Sequence, residues 1–372
     1  MTNSEARASK VERLRAASSI AGDVWHGTAP APAYEWWYFD ALSRDGRDAL
    51  VIIFLTNFIF SPRYNRAVME SQRQSQPAQR AANFPAVAVC FYRDGRPFFR
   101  ALNEYSPDDF QADATQPSCQ IGQNSFRLIK SGDDARYELN IETILRCRRI
   151  LWARLEWRVM EGNFFEDERQ SLSHPEAAHH WNMVAPRCDV SGEIALIEPN
   201  TTRSLDFNFQ GTGYHDHNRD ARWMPATIAE WQWGRIHFPA TTAVFYRYRE
   251  RDENQHNTRL YLIQNNLLVV HAPQITMDET RQHYFGLRYP RLLRLQTTDE
   301  SLMLTLRQQR IVDSSFFYLR FLSDATLETA GARPQHSTGI TEHLAPRSLG
   351  SRWLWWLINM RIGSNGRGAF LP

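Results

Sequence analysis

Leu151-Trp-Ala-Arg-Leu-Glu-Trp-Arg-Val159 spells out a β-strand. Successive side chains of an extended chain point to opposite faces, so Leu151, Ala153, Leu155, Trp157 and Val159 share one side and Arg154, Glu156 and Arg158 the other. A strand that is dry on one face and wet on the other belongs in an antiparallel sheet packed on a single core. The same alternation recurs at Tyr137, Leu139 and Ile141 against Glu138, Asn140 and Glu142, and again at Leu302, Leu304 and Leu306. Asp45-Gly46 and Asp94-Gly95 stand between strand-like runs, where glycine's tolerance of positive φ favours type I′ hairpins. The apolar run from Ala49 to Phe60 is interrupted by Thr56 and Asn57. It falls short of the roughly 20 residues that cross a bilayer and reads as a buried strand.

Helical periodicity is confined to Glu5–Ala17 and Ser351–Ile362, and no βαβ rhythm is visible. Glu70–Asn83, rich in Gln, Arg, Ser and Ala, is expected to be a mobile loop or a short exposed helix. Alternation breaks at Glu198-Pro-Asn-Thr-Thr-Arg203, which marks a domain boundary. The expected architecture is all-β: a solvated arm (1–24), two tandem antiparallel β-barrel or sandwich units (25–198 and 199–345), and a tail rich in Trp and Arg (346–372).

Two units also suit the length, since 372 residues exceed one ordinary core of roughly 100–200 residues. The 43 basic residues nearly balance 41 acidic ones, and that excludes nucleic acid, whose phosphates call for a concentrated basic face. Four cysteines without Cys-x-x-Cys spacing argue against a disulfide framework and against structural zinc. Charges at Glu5, Arg7, Lys10, Glu12, Arg13 and Arg15 leave no secretory signal, so a cytoplasmic protein is expected. Twelve tryptophans are more rings than such cores require, and some are expected to line a ligand pocket.

Three segments concentrate chemistry. Tyr34-Glu-Trp-Trp-Tyr-Phe-Asp40 carries aromatics on both faces of a strand, so one set packs a core while the other borders a cavity or the second unit. His179-His-Trp-Asn-Met-Val-Ala-Pro-Arg187 and Gly211-Thr-Gly-Tyr-His-Asp-His-Asn218 bring polar groups together, followed by Trp231-Gln-Trp233-Gly-Arg-Ile-His237. Alternation sends Tyr214, Asp216 and Asn218 one way, and His215 and His217 the other. Three uses compete for these residues. His215 and His217 with a third among His179, His180 and His237 could ligate zinc or iron. They could form a hydrogen-bonded polar layer between the units. Or a carboxyl, a phenol and an imidazole beside many rings serve acid–base chemistry in a dry pocket.

These segments resemble the carotenoid 1,2-hydratases, also called hydroxyneurosporene synthases, and the wider lipocalin-like group. The likeness rests on Glu35-Trp-Trp-Tyr-Phe-Asp-Ala-Leu-Ser43, Phe60-Ser-Pro62, His179-x-Trp181 with Ala185-Pro-Arg187, Gly213-Tyr-x-Asp216-x-Asn218, Trp231-x-Trp233 and, more weakly, Tyr318-Leu-Arg-Phe321. The resemblance implies two lipocalin-like units, a hydrophobic polyene or isoprenoid substrate, and no metal or redox cofactor. It implies catalytic roles for Asp216 as proton donor, Tyr214, His179 and Trp181. Substrate contacts are expected from Trp36, Trp37, Tyr38, His180, Arg187, His215, His217, Asn218, Trp231 and Trp233. Hydratases of this family tend to read Gly-Tyr-Phe-Asp-Ser-Asn, whereas this chain has histidine at 215 and 217, and this points to a different substrate. Cyclisation or isomerisation of a folded polyene, and non-catalytic carriage of a lipid or pigment, are the alternative functions.

After Pro346 the chain has Arg347, Arg352, Arg361 and Arg367, no acid, and the block Trp353-Leu-Trp-Trp-Leu-Ile358. Residues 351–362 are therefore expected to rest as a helix on the inner membrane surface. The alternative is a helix docked across the barrel mouth.

Overall fold

Alternation and tight turns dictate antiparallel meanders, and the chain forms them. The structure, a computed structural model, describes residues 13–27, 33–74, 83–165, 178–199, 204–364 and 367–371. Asp94 and Gly95 alone join Ala86–Arg93 to Arg96–Glu104, with φ of 51° and 74°, as a type I′ turn requires. Asp45-Gly46 instead lies in a four-residue connection, 44–47, between Tyr34–Ser43 and Asp48–Leu55.

The described strands build two curled sheets, one of thirteen strands and one of nine. The first takes every strand up to Asp220, and the second runs from Ile228 to Leu344. Each sheet has its own apolar core: Trp37, Phe39, Phe54 and Trp157 in the first, Ile236, Phe245, Leu304 and Leu327 in the second. A third cluster holds Trp36, Tyr38, Trp181, Tyr214, Trp231, Trp233 and Tyr246 between the sheets. Both aromatic faces of Tyr34–Ser43 thus have a use: one fills the first sheet's core and the other meets the second sheet. Arg235 Nε donates to Asp40 Oδ1 at 2.7 Å with both side chains fully buried, pinning one sheet to the other.

Two expectations are corrected. Residues 198–203 link two strands of one sheet, because His179–Ile197 and Ser204–Asp220 pair from Ile197↔Ser204 to His180↔Arg219. The break in alternation there falls between two paired strands, and the passage between sheets lies instead at 221–227. The arm is not solvated where it is described: Leu14–Ala17 pairs in parallel with His179–Asn182, and Ser18, Ser19, Ile20 and Asp23 are buried. Residues 1–12 lie outside the described residues. Of the two forms expected for Glu70–Asn83, its described start takes the exposed helix: Glu70–Gln74 end the helix Pro62–Gln74, whose earlier turns bury Tyr64, Asn65 and Val68, while 75–82 are outside the described residues.

The tail docks rather than trailing free. Trp355 and Ile358 are buried in the short helix Trp355–Asn359, the Trp355 indole donates to Leu349 O at 2.9 Å, and Gly363–Ser364 adds a parallel strand to the first sheet beside Asn103 and Glu104. Trp353 and Trp356 remain 71% and 58% exposed. No helix among the described residues is long and apolar enough to cross a membrane.

Candidate active site

Ser204–Asp220 runs between His179–Ile197 and Tyr34–Ser43, with Asp216 directly across from Tyr38. Close approach of these strands depends on Gly213, where an added Cβ would lie 2.4 Å from Val190 and 2.5 Å from the Trp157 indole nitrogen. Period two then sends Tyr214, Asp216 and Asn218 into the space between the sheets, and His215 and His217 into the first sheet's side.

Three donors meet Asp216. The Trp181 indole and the Tyr214 hydroxyl each donate to Oδ2 at 2.9 Å, and Asn218 Nδ2 donates to Oδ1 at 2.8 Å. Burial nevertheless outweighs them and lifts the carboxyl to about 8. The decisive difference from its neighbours is the missing cation. Among the described residues, the other buried carboxylates each have one: Asp40 has Arg235, Glu104 has Arg63, Asp220 and Glu250 share Arg222, and Glu342 has Arg320. Asp23 and Glu35 face histidines. Asp216 alone is held by neutral donors, so it keeps a proton at neutral pH.

His179 stands between the Tyr34 hydroxyl at 3.3 Å and the Tyr246 hydroxyl at 3.1 Å. Burial, with Arg222 nearby, pushes it down to about 3, so it is a neutral imidazole. It reaches Asp216 indirectly, through Asn218, which bonds both side chains, and through Tyr246, whose ring lies 4.9 Å from Trp181. The four residues implied as catalytic are therefore together, with Asp216, Tyr214 and Trp181 in contact and His179 one ring away.

An apolar cavity of about 320 Å³ opens beside this cluster. Trp36, Tyr38 and Trp231 form its wall toward Asp216, and Leu357, Ile358 and Leu371 of the tail close another side. Asp216 is not in the lining; its cross-strand partner Tyr38 is. One part of the wall is charged, and it was not anticipated. Arg320 bonds Glu342 at 2.9 Å, Arg100 pairs with Asp313 at 3.0 Å, and the Arg320 guanidinium lies 5.7 Å from the Tyr38 ring centre. Spacing alone does not mark it: Arg320 lies on the face of Tyr318–Thr329 opposite Leu319, Phe321, Ala325 and Leu327, where alternation reads a charge as solvent-facing.

Several residues expected to touch substrate face elsewhere. Trp37 stacks on His217 at 4.7 Å, and His215 stacks on Phe39 at 3.9 Å, all on the first sheet's side. The reason is strict alternation, which sends neighbours of Trp36, Tyr38 and Asp216 to the opposite face. Arg187 donates to Phe238 O at 2.6 Å, His180 lies 3.4 Å from Arg219, and Trp233 packs on Tyr214 at 5.1 Å behind the lining. His237, offered as a metal ligand, bonds Pro186 O at 2.8 Å. Among the described residues, one group has metal-ligand spacing: His26, Glu35 and His217, on the far face of the strand that carries Asp216.

Residues 51–370 match the carotenoid hydratase CrtC family. The chain belongs to that family. The hydroxyneurosporene dehydrogenase of Chlorobaculum tepidum is 23% identical over 92% of this chain and 91% of its own. The acyclic carotenoid 1,2-hydratase of Rubrivivax gelatinosus is 26% identical over 66% of this chain and 55% of its own. In fold, the chain resembles CghA, with a TM-score of 0.58 at 12% identity over 89% of this chain and 97% of that one. It also resembles a putative AttH from Nitrosomonas europaea, with a TM-score of 0.57 at 14% identity over 84% and 92%. The two tandem sheets are the lipocalin-like architecture expected of a carotenoid hydratase, and the chain is an enzyme of the hydro-lyase class.

Proposed function

We propose that the protein hydrates a terminal C=C bond of an acyclic carotenoid or related isoprenoid, without a redox cofactor, with Asp216 as the proton donor. The observation that carries this reading is a buried carboxyl with no cationic partner, lifted to about 8, beside an apolar cavity. Adding a proton to the less substituted carbon of a trisubstituted double bond gives a tertiary carbocation. Tyr38, Trp181, Tyr214 and Trp233 surround the point of transfer, and rings of this kind stabilise a cation by about 0.5–2 kcal/mol each. Water then adds to the cation, and the proton it loses returns to the Asp216 carboxylate, so the net change is one water across one double bond.

The acid held near 8 is a far stronger base once ionised than an imidazole held near 3. His179 therefore orients water with Tyr34 and Tyr246 rather than taking its proton. Glu342 lines the cavity, but it is committed to an ion pair with Arg320 and is not a proton source. The substrate end must pass Tyr38 and Trp231 to meet Asp216.

Substrate of this kind dissolves in lipid. Exposed Tyr284, Trp356 and Phe370 each adjoin a cavity-lining residue, Phe285, Leu357 and Leu371 respectively. With Trp353, Arg352 and Arg367 also exposed, this rim would face an anionic bilayer and admit substrate from it. The reaction is tested by incubating purified protein with acyclic carotenoids and following product mass. A water increment that disappears with Asp216→Asn supports the reading. An isomer of unchanged mass would mean cyclisation, and binding without turnover would mean carriage.

A further inference from the structure

His215 and His217, the two residues that depart from the hydratase pattern, do not reach the cavity. They build a second polar cluster on the reverse face of their strand. His217 Nε2 lies 2.8 Å from Glu35 Oε1, His26 Nδ1 lies 2.9 Å from the same oxygen, and the donor atoms of the three side chains all fall within 4.8 Å of one another. Each comes from a different piece of chain: His26 from the segment before the mixed aromatic strand, Glu35 from that strand, His217 from the strand beside it.

We infer that His26, Glu35 and His217 form a divalent metal site, of a kind suited to zinc. Two imidazole nitrogens and one carboxylate are a donor set that zinc and first-row transition ions accept. A tetrahedral ion with bonds of about 2.1 Å keeps its ligand atoms roughly 3.4 Å apart, so seating it opens each close contact by only about half an ångström. The surroundings are those of a metal-binding histidine. Asp23 Oδ1 lies 3.2 Å from His217 Nδ1 and Glu35 Oε1 lies 2.8 Å from Nε2, so an ion would take the place of the Nε2 proton while Asp23 holds the one on Nδ1. Asp23 Oδ2 is in turn held by the Tyr137 hydroxyl at 2.7 Å and by His215 Nε2 at 2.9 Å, while the Trp37 ring fixes the plane of His217 by stacking at 4.7 Å. Among the described residues the ion-pair partners of Asp23 and Glu35 are imidazoles alone, so once the rings give up their extra proton to a bound ion the two carboxylates match the charge of one divalent ion.

A fourth position is open. His26 and His217 both line a polar cavity of about 270 Å³, together with Arg15, Ser19, His180, Asn182 and Arg219, where water or a small anion held by the two arginines can complete the coordination. An ion there would fasten the 20–27 segment to the strand that positions Asp216, from the side opposite the chemistry. The inference does not depend on the proposed reaction.

The test uses the full chain, stripped with a chelator and titrated with Zn²⁺ by calorimetry, with thermal melting in parallel. The expected result is one ion per chain with submicromolar affinity and a higher melting temperature. His26→Ala should weaken binding at least 100-fold; His26 is half-buried at the cavity edge, so the variant should still fold. His180→Ala, which lines the same cavity outside the trio, should bind as the parent does. Absence of uptake by the folded parent, or uptake undiminished by His26→Ala, would overturn the site. Loss of hydration by Asp216→Asn with zinc uptake intact would show that the two proposals stand separately.

Discussion

Asp216→Asn separates a protonated acid from an ordinary carboxylate, because the two leave opposite marks on stability. In the unfolded chain the carboxyl ionises near 3.8, whereas in the fold burial holds the proton until about 8. Between those values the native state binds the extra proton, so stability falls as pH rises, by about 1.4 kcal/mol per pH unit, and the loss is complete above the folded value. Asparagine has no such dependence. The stability of the variant relative to the parent should therefore grow by about 3 kcal/mol over two pH units within that window, for instance from about pH 5.5 to about pH 7.5. Urea denaturation at several pH values reads this directly. Turnover should fall at least about 10²–10⁴-fold, in kcat rather than in substrate affinity. A stability gap that stays flat with pH would show that Asp216 is ionised at neutrality, and the acid role would be refuted whatever the variant does to activity.

The parent's rate should be level below about pH 8 and fall tenfold per unit above it. Tyr214→Phe removes a donor that favours the ionised form, so its alkaline limb should move to higher pH, with a smaller loss of turnover than Asp216→Asn. A limb that moves down would reverse the assignment of that hydrogen bond. Arg235→Leu leaves Asp40 buried without its partner and should cost about 3–5 kcal/mol of stability; a variant as stable as the parent would mean that the pair does not pin the sheets. Trp353→Ser with Trp356→Ser should abolish flotation on anionic liposomes while changing stability by only about 0.5 kcal/mol at each exposed site. Unchanged flotation would remove the rim's role. These substitutions are better probes than deleting 351–372, since the tail walls the cavity and adds a strand.

Local patterns predicted local structure well. Alternation placed Trp36 and Tyr38 apart from Trp37, and Tyr214, Asp216 and Asn218 apart from His215 and His217, and the two faces do fill different spaces. What alternation lacks is pairing partners. Nothing in residues 198–203 says that the strands on either side pair with each other, so the break in alternation there reads as a boundary. The polar wall of Arg100, Asp313, Arg320 and Glu342 assembles from four strands, and no spacing within any one of them reveals it. Asp216 was found through a motif, but its missing cation is a property of distance: Arg222 and Arg320 are near in the chain or the fold, yet both are spent on other acids.

The neighbour of the Tyr34–Ser43 strand also matters while the chain is being made. Tyr34 meets Asp220 only after every intervening strand has left the ribosome, a wait of roughly ten to forty seconds at about 5–20 residues per second. For that time one edge of an aromatic strand lacks its ladder, which is the geometry that recruits foreign strands. Slower translation lengthens the exposure, and faster folding cannot shorten it. Until residue 220 appears, that edge must be shielded by something other than its native partner.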